Sequence, residues 1–480
     1  NVHGNEASSM EAAMQTAYEL ITSHQDWLQN TVVVMDPCVN PDGRDRYANW
    51  YNQVRARPYN SSQVADEHNE PWPGGRPNHY LFDLNRDWAW AKQVESQQRI
   101  ALYNQWLPHV HVDFHEQGIN EPYYFAPAAA PFHEVITPWQ KAFQTQIGQN
   151  NARYFDQEGW LYFTRQFFDL LYPSYGDTYP TFTGAIGMTY EQAGHGRGGL
   201  GVDTDQGYEL TLVDRVAHHT TTGLATVEIS SQNVTQLNKE FRAFFERKDI
   251  PQQTYVLTGV QDKIKALTDL LDLHDIDYGF TNTKEVRGWS YQSQTNGTMA
   301  TQGGLVVSTN QPKGVLVKVL FEAEAALEEP LTYDITAWSL PYAFGLNCIV
   351  TEKTVALDGK MAPFTKNSAA LNNTIAGYIL PWNDVADGAF LSDLLQAKIK
   401  VRFAEKPLRF EGVDFAPGSL VITKSDNRSQ SKFTAKVTAL ANKHQRTLVT
   451  LSSGFSDNGI DLGSTNIKII NNQRVAILKG

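Results

Sequence analysis

At 480 residues the chain exceeds what one hydrophobic core usually serves. Domains run to roughly 100–200 residues, so two or three are expected. With 41% hydrophobic and 19% charged residues it has an ordinary globular composition, and a formal net charge of −12 argues against nucleic acid or an anionic membrane as the main partner. No run of about 18 apolar residues occurs and the opening residues carry no leader pattern, so no membrane span is expected.

In chain order, helical periodicity covers 8–24, a strand-like run follows at Val32–Met35, and residues 58–79, rich in Pro, Gly, Asn and Ser, read as a long surface loop of the kind that rims active sites. Strand-like runs recur at His109–His115 and Ala185–Tyr190, and a long polar helix spans roughly 208–248. Pro251 marks a boundary, which divides the chain into 1–250 and 251–480. Beyond it come a strand at Tyr255–Leu257, a helix over 263–274, a strand at 377–382, a helix over 390–401, a strand at 418–423, a helix over 430–443 and a strand at 447–452. Helices and strands alternate in both parts, which predicts two α/β regions. The second shows no metal-ligand spacing or nucleophile elbow, so an accessory role is expected for it. Cys38 and Cys348 form no metal or redox motif and are expected to be two buried thiols.

Chemistry concentrates in the first region. His3-Gly4-Asn5-Glu6 precedes the first helix, and a His and a carboxylate three residues apart on a turn can face one ion; imidazole with carboxylate is an ordinary zinc pair. In the run from His109 to Gln117, alternation places His109, His111, Asp113 and His115 on one strand face. Four polar groups on one face of an apolar strand need a reason, because burying them unpaired is costly. A metal at the strand's C-terminal end supplies it, with His115 as ligand and the other three as supporting or core groups. The third piece is Gly184 to Gln192, an apolar strand ending in Glu191 before a glycine-rich stretch, GHGRGGLG. Beside a metal, Glu191 is a natural general base.

Taken together these motifs resemble the zinc metallocarboxypeptidase family of pancreatic carboxypeptidase A: a His-x-x-Glu pair, a third His about a hundred residues later and a strand-terminal Glu. Asn40-Pro41-Asp42-Gly43 and Asp83-Leu84-Asn85-Arg86 stand between the ligands as two further marks, and the resemblance covers roughly residues 1–230. It implies an α/β/α sandwich around a mixed, mostly eight-stranded sheet, possibly without its first strands here. It also implies one zinc ion held by His3, Glu6 and His115, with Glu191 as the base. By position after Asn-Pro-Asp-Gly, Arg55 matches the arginine that stabilises the transition state. Asn85 and Arg86 match the pair that binds a substrate's terminal carboxylate, which would make peptide or protein C-termini the partners.

A tyrosine that caps bound substrate is implied in the stretch LLYPSYGDTYP, where Tyr172, Tyr175 and Tyr179 compete and Tyr175 is favoured slightly. Asp177 falls at or next to the base of the pocket for the departing side chain, where a carboxylate would favour Lys or Arg; a turn role bonding its own backbone is the stronger expectation. Better-known relatives have Ser-Tyr after the third ligand, whereas Glu116-Gln117 stand here, so the neighbouring subsites are expected to differ. Strands and a helix precede the first ligand in the family, so a longer chain is expected before Asn1. The last residues, 474–480, read as the start of a further α/β unit. The resemblance also implies export, periplasmic or secreted. An amidohydrolase of the same fold acting on cell-wall peptides, or a non-catalytic peptide-binding module, are the alternatives.

Overall fold

The computed structural model describes residues 1–327, 332–333, 335, 337–361 and 375–471. The strand expected at 474–480 lies outside them. The chain divides into two compact units, Asn1–Leu257 with Leu267–Gly359, and Thr258–Ala266 with Lys360–Gly480. This division differs from the partition at Pro251, because residues 267–359 pack with the first unit. Part of the reason is visible at His274, whose Nε2 donates to the Ala89 carbonyl at 2.9 Å while its Nδ1 accepts from the Tyr179 hydroxyl at 2.8 Å.

The first unit opens with α1 (Ser8–Thr22), which buries Ala12, Thr16 and Leu20 along one stripe. Next comes α2 (Pro41–Val54), started by a proline in its first turn and by the Asn40 side chain accepting from the Gly43 amide. Then follow α3 (Val94–Trp106), β1 (Val110–Gln117), β2 (Tyr123–Tyr124), α4 (Pro138–Glu158), β3 (Tyr162–Phe163), α5 (Thr178–Phe182) and β4 (Ile186–Ala193). The sheet order is β1-β4-β2-β3, with β1 parallel to β4 and β2 antiparallel to it. Sheet and helices form the expected α/β fold with a mixed sheet, but among the described residues this sheet has four strands, not eight.

One missing strand is instructive. Val32–Met35 has the composition of a strand yet forms none, and Val32 stays 72% exposed. A strand exists through its hydrogen-bonded neighbours, and this run finds no partner among the described residues. The long helix expected over 208–248 is likewise two, α6 (Leu212–Gln232) and α7 (Val234–Glu246). Asn233 separates them: its side chain donates to the Ile229 carbonyl at 2.7 Å and its backbone leaves the helical region.

Alternation decides what each sheet face does. Val110, Val112 and Phe114 of β1 and Ile186, Met188 and Tyr190 of β4 face a core built with Phe143, Ile147 and Phe155 of α4 and Leu237 of α7. Each of the fully buried side chains among them contributes about 1.5–3 kcal/mol. The opposite face carries His111, packed edge-on to Trp88 and to Tyr103 of α3, and then the polar ends Asp113, His115, Thr189 and Glu191. Helices therefore cover both faces, and β4 is buried throughout, as a strand inside a sandwich should be.

The chain continues with β5 (Thr254–Thr258), α8 (Gln261–Leu273), β6 (Tyr278–Phe280), β7 (Glu285–Ser290), β8 (Thr295–Ala300), β9 (Leu305–Ser308), α9 (Gly314–Phe321) and β10 (Asn347–Thr351). These strands form a six-stranded sheet, β6-β9-β5-β10-β7-β8. In the second unit, β11 (Gly377–Leu380), α10 (Val385–Gln396), β12 (Arg402–Ala404), β13 (Leu420–Thr423), α11 (Phe433–Lys443), β14 (Val449–Leu451) and β15 (Ile467–Ile469) give a five-stranded sheet in the order β14-β11-β13-β12-β15. Tyr378, Phe390, Leu394, Ile422 and Val437 are central to its core. Cys348 is buried, whereas Cys38 is only half-buried because it lies in the unpaired segment before α2, not in a core.

Candidate functional site

Parallel pairing of β1 and β4 sets His115 directly opposite Glu191, at the carboxyl ends of both strands. That is where α/β sheets open into ligand crevices. His3 and Glu6 reach the same point from the turn before α1, which closes with the Glu6 amide on the His3 carbonyl. The Asn1 side chain braces this turn by donating to the carbonyls of His3 and Glu6 at 3.1 and 3.0 Å.

Three backbone segments stack tightly beside the turn. A Cβ on Gly4 would lie 2.1 Å from the Arg44 nitrogen, and one on Gly43 would lie 2.3 Å from the Gly75 carbonyl oxygen. Only glycine permits such an approach. The Asn-Pro-Asp-Gly turn is thereby clamped between the ligand turn and the loop at 74–76, and the Asn40 amide holds the Arg76 carbonyl at 3.0 Å.

His3, Glu6 and His115 are all buried, and one ligand atom from each lies within 4.8 Å of the others. Both imidazoles present Nδ1 to Glu6: His3 to Oε1 at 2.8 Å and His115 to Oε2 at 2.9 Å. Their Nε2 atoms meet other partners. His3 Nε2 lies 2.9 Å from Asp83 Oδ1, and His115 Nε2 lies 2.8 Å from Asp113 Oδ2. Carboxylates behind two imidazoles are what metal-binding histidines ordinarily have, since such partners fix tautomer and ring orientation. Burial pushes the Glu6 carboxyl up, but the His3 and His115 rings beside it outweigh this and hold it well below the usual range. Asp83 is likewise held well below, its burial overcome by His3 and then Arg76.

Glu191 behaves oppositely. Burial pushes its carboxyl up to about 8, and Oε2 has no hydrogen-bond partner among the described residues. An orphaned buried carboxylate oxygen beside two imidazoles and the Glu6 carboxylate fits a site built around a zinc ion and a reacting water, so the donor set suits that metal.

The four groups line a cavity of about 200 Å³ with Arg76, Asn85, Arg86, Phe168, Asp169, Tyr175, Asp177, Thr189, His195 and Tyr333. Asn85 accepts from the Gly176 amide at 2.9 Å and sets its own amide 3.2 Å from His115 Nε2. The Arg86 guanidinium lies over the Tyr175 ring, 4.5 Å from its centroid. Of the competing tyrosines, Tyr175 alone lines the cavity. Tyr172 accepts from the Trp90 indole at 2.6 Å, and Tyr179 is tied to His274.

Asp177 stands before α5, and its side chain makes no cap bond to that helix. Its Oδ2 accepts from Thr189 at 3.0 Å and its Oδ1 has no partner among the described residues. Burial raises this carboxyl to about 7. His111 is a core imidazole, lowered to about 4 by burial, and His109 sits half-buried against Phe241.

One expected residue is not brought to the site. Arg55 ends α2, half-buried, with Nε on Asn52 at 3.2 Å, and it does not line the cavity. A long loop separates it from Asp83, so counting from Asn-Pro-Asp-Gly chose the wrong arginine. Arg76 occupies the place instead, with Nη2 2.9 Å from Asp83 Oδ2 and Nη1 3.7 Å from Glu6 Oε1. The available signal was the double glycine before it, in a loop that must approach other backbone. Asp83 and Tyr333 were also missed as site residues: the first was read only as part of a motif, and the second lies in the region expected to be accessory.

Residues 1–107 match a family model described as zinc carboxypeptidase. The matched segment holds His3, Glu6, Arg76, Asp83, Asn85 and Arg86, and His115 and Glu191 lie beyond it. Neither the curated proteins nor the solved structures gave a match.

Proposed function

We propose that this protein, whose residues 1–107 match a family model described as zinc carboxypeptidase, is an exopeptidase that releases the C-terminal residue of peptides. The observation that carries the reading is the convergence of His3, Glu6 and His115 beside the unpartnered oxygen of Glu191. His3, Glu6 and His115 would hold one zinc ion, which when bound supplies Lewis acidity to the scissile carbonyl and to water.

The remaining chemistry belongs to side chains. Glu191 is placed to take a proton from the attacking water and return it to the leaving amine. Arg76, permanently charged and fixed by Asp83, is suited to the negative charge that develops on the carbonyl oxygen, an interaction of a few kcal/mol in comparable sites. Arg86 offers a planar fork for a carboxylate, with Asn85 as a neutral donor, and Tyr175 packs against that fork. The wall formed by Asp177, Phe168, Tyr175 and Tyr333 combines a buried carboxyl with aromatic rings, which favours a departing side chain with an apolar stem and a cationic tip. Residues 360–480 are accessory in this reading. No described helix is long and apolar enough to cross a membrane; an exported location, periplasmic or secreted, rests on the family resemblance.

Peptides identical except for a free or amidated C-terminus test the proposal. Release only from the free acid supports it, and equal release from both removes the carboxylate clamp. Turnover of muropeptides with none of blocked dipeptides would favour the cell-wall amidohydrolase. Absence of turnover from a zinc-loaded protein that still binds the peptides would favour the binding module.

A further inference from the structure

The glycine-rich stretch GHGRGGLG, residues 194–201, has no part in the mechanism above, yet it encloses a buried ion pair. Glu116 and Arg215 have side chains 0% and 1% exposed, with Arg215 Nη1 3.3 Å from Glu116 Oε1. A Cβ on Gly194 would lie 2.2 Å from Glu116 Oε2, and one on Gly198 would lie 2.6 Å from Arg215 Cζ. Arg215 Nη2 donates to the Gly199 carbonyl. The stretch forms a wall that leaves room for this pair and for no additional side chain.

The carboxylate of Glu116 does not project into a subsite. It accepts from the Ser8 amide at 2.8 Å and from the Ser8 hydroxyl. Ala7, the residue before α1, makes no side-chain cap, so Glu116 supplies from β1 the anion that a helix start favours. The backbone of Glu116 serves the site directly. Its amide donates to Glu6 Oε2 at 3.0 Å, and its carbonyl accepts from His195 Nδ1 at 3.1 Å.

We propose that Glu116 and Arg215 are positioning residues for the metal centre: their buried pair pins the first turn of α1 to the end of β1 and so fixes Glu6 against His115. Glu6 lies two residues before Ser8, the first residue of α1, and His115 immediately precedes Glu116, so the pair joins the two segments that carry these ligands. This inference rests on the zinc reading above.

Zinc affinity, measured by chelator competition on the full chain, separates positioning from mere folding. Glu116→Asp keeps the charge near Arg215 but retracts it from Ser8, and its zinc affinity is expected to fall about 10–100-fold, as for other groups that orient ligands. Arg215→Met leaves a charge buried alone and should lower the melting temperature; Glu116→Gln/Arg215→Met removes both charges and should recover it. The double variant should nevertheless stay at least about tenfold weaker for zinc. Zinc affinity within threefold of the parent in Glu116→Asp would overturn the proposal, and so would recovery of both stability and affinity in the double variant. If the double variant does not fold, Glu116→Asp alone decides. A parent protein that binds no zinc would instead refute the zinc reading itself.

Discussion

Replacing Asp83 by alanine probes the site at the point where several of its functions meet. One carboxylate oxygen lies 2.9 Å from His3 Nε2 and accepts the Asn85 amide at 2.9 Å; the other pairs with Arg76 Nη2 at 2.9 Å and Nε at 3.1 Å. A hydrogen bond to a charged group contributes about 1.5–3 kcal/mol. At about 1.4 kcal/mol per factor of ten, losing the His3 contact should weaken zinc binding about 10–100-fold. Asp83→Asn keeps an acceptor for His3 and for the Asn85 amide but loses the charge facing Arg76. It should therefore bind zinc closer to the parent while its kcat falls. Chelator competition gives zinc affinity, and steady-state kinetics at saturating zinc give kcat and KM. Parent-like zinc affinity in a folded Asp83→Ala variant would refute the assignment of Asp83 as the group that orients His3.

Arg76→Ala should lower kcat by about 100-fold or more, whereas Arg55→Ala should leave kcat and KM near the parent's; the reverse pattern would restore Arg55. Asp177 should favour Lys and Arg at the departing position, and because only its ionised form attracts a cation, the ratio of Arg to Phe release should climb as pH rises through about 7. Asp177→Asn should flatten that ratio, and a Phe preference untouched by the change would dispose of the basic pocket. His274, lowered to about 4 by burial, should make the fold sensitive to acid. Its folded value lies below the ordinary 6.5, so the unfolded chain binds the extra proton first, and stability is lost as pH falls from about 6.5 towards 4. A melting temperature that is flat over this range, or unchanged in slope by His274→Gln, would contradict it.

What could be read from sequence was what depends on short range. His3 and Glu6 share a turn, and His115 and Glu191 each end an apolar strand, so local patterning was enough to mark them. The register that sets His115 opposite Glu191 was not readable, but any parallel pairing of two strands with polar ends would bring them near. Arg76 escaped because its place is set by the stacking of Gly4, Gly43 and Gly75, three segments distant in sequence. Glu116 was read as a change beside the subsites because nothing local announces that Arg215 will be buried against it. Val32–Met35 failed for a related reason: strand propensity is realised only with a neighbour to bond. Asn233 was overlooked in a long polar pattern that helix periodicity alone made continuous.

Metal analysis of the purified protein, paired with a Glu191→Gln assay, tests the central claim most directly. The account predicts one zinc ion per chain in both proteins and a loss of peptide hydrolysis of about 100-fold or more in the variant. A parent protein without stoichiometric zinc, or a Glu191→Gln variant that hydrolyses peptides at the parent's rate, would contradict it.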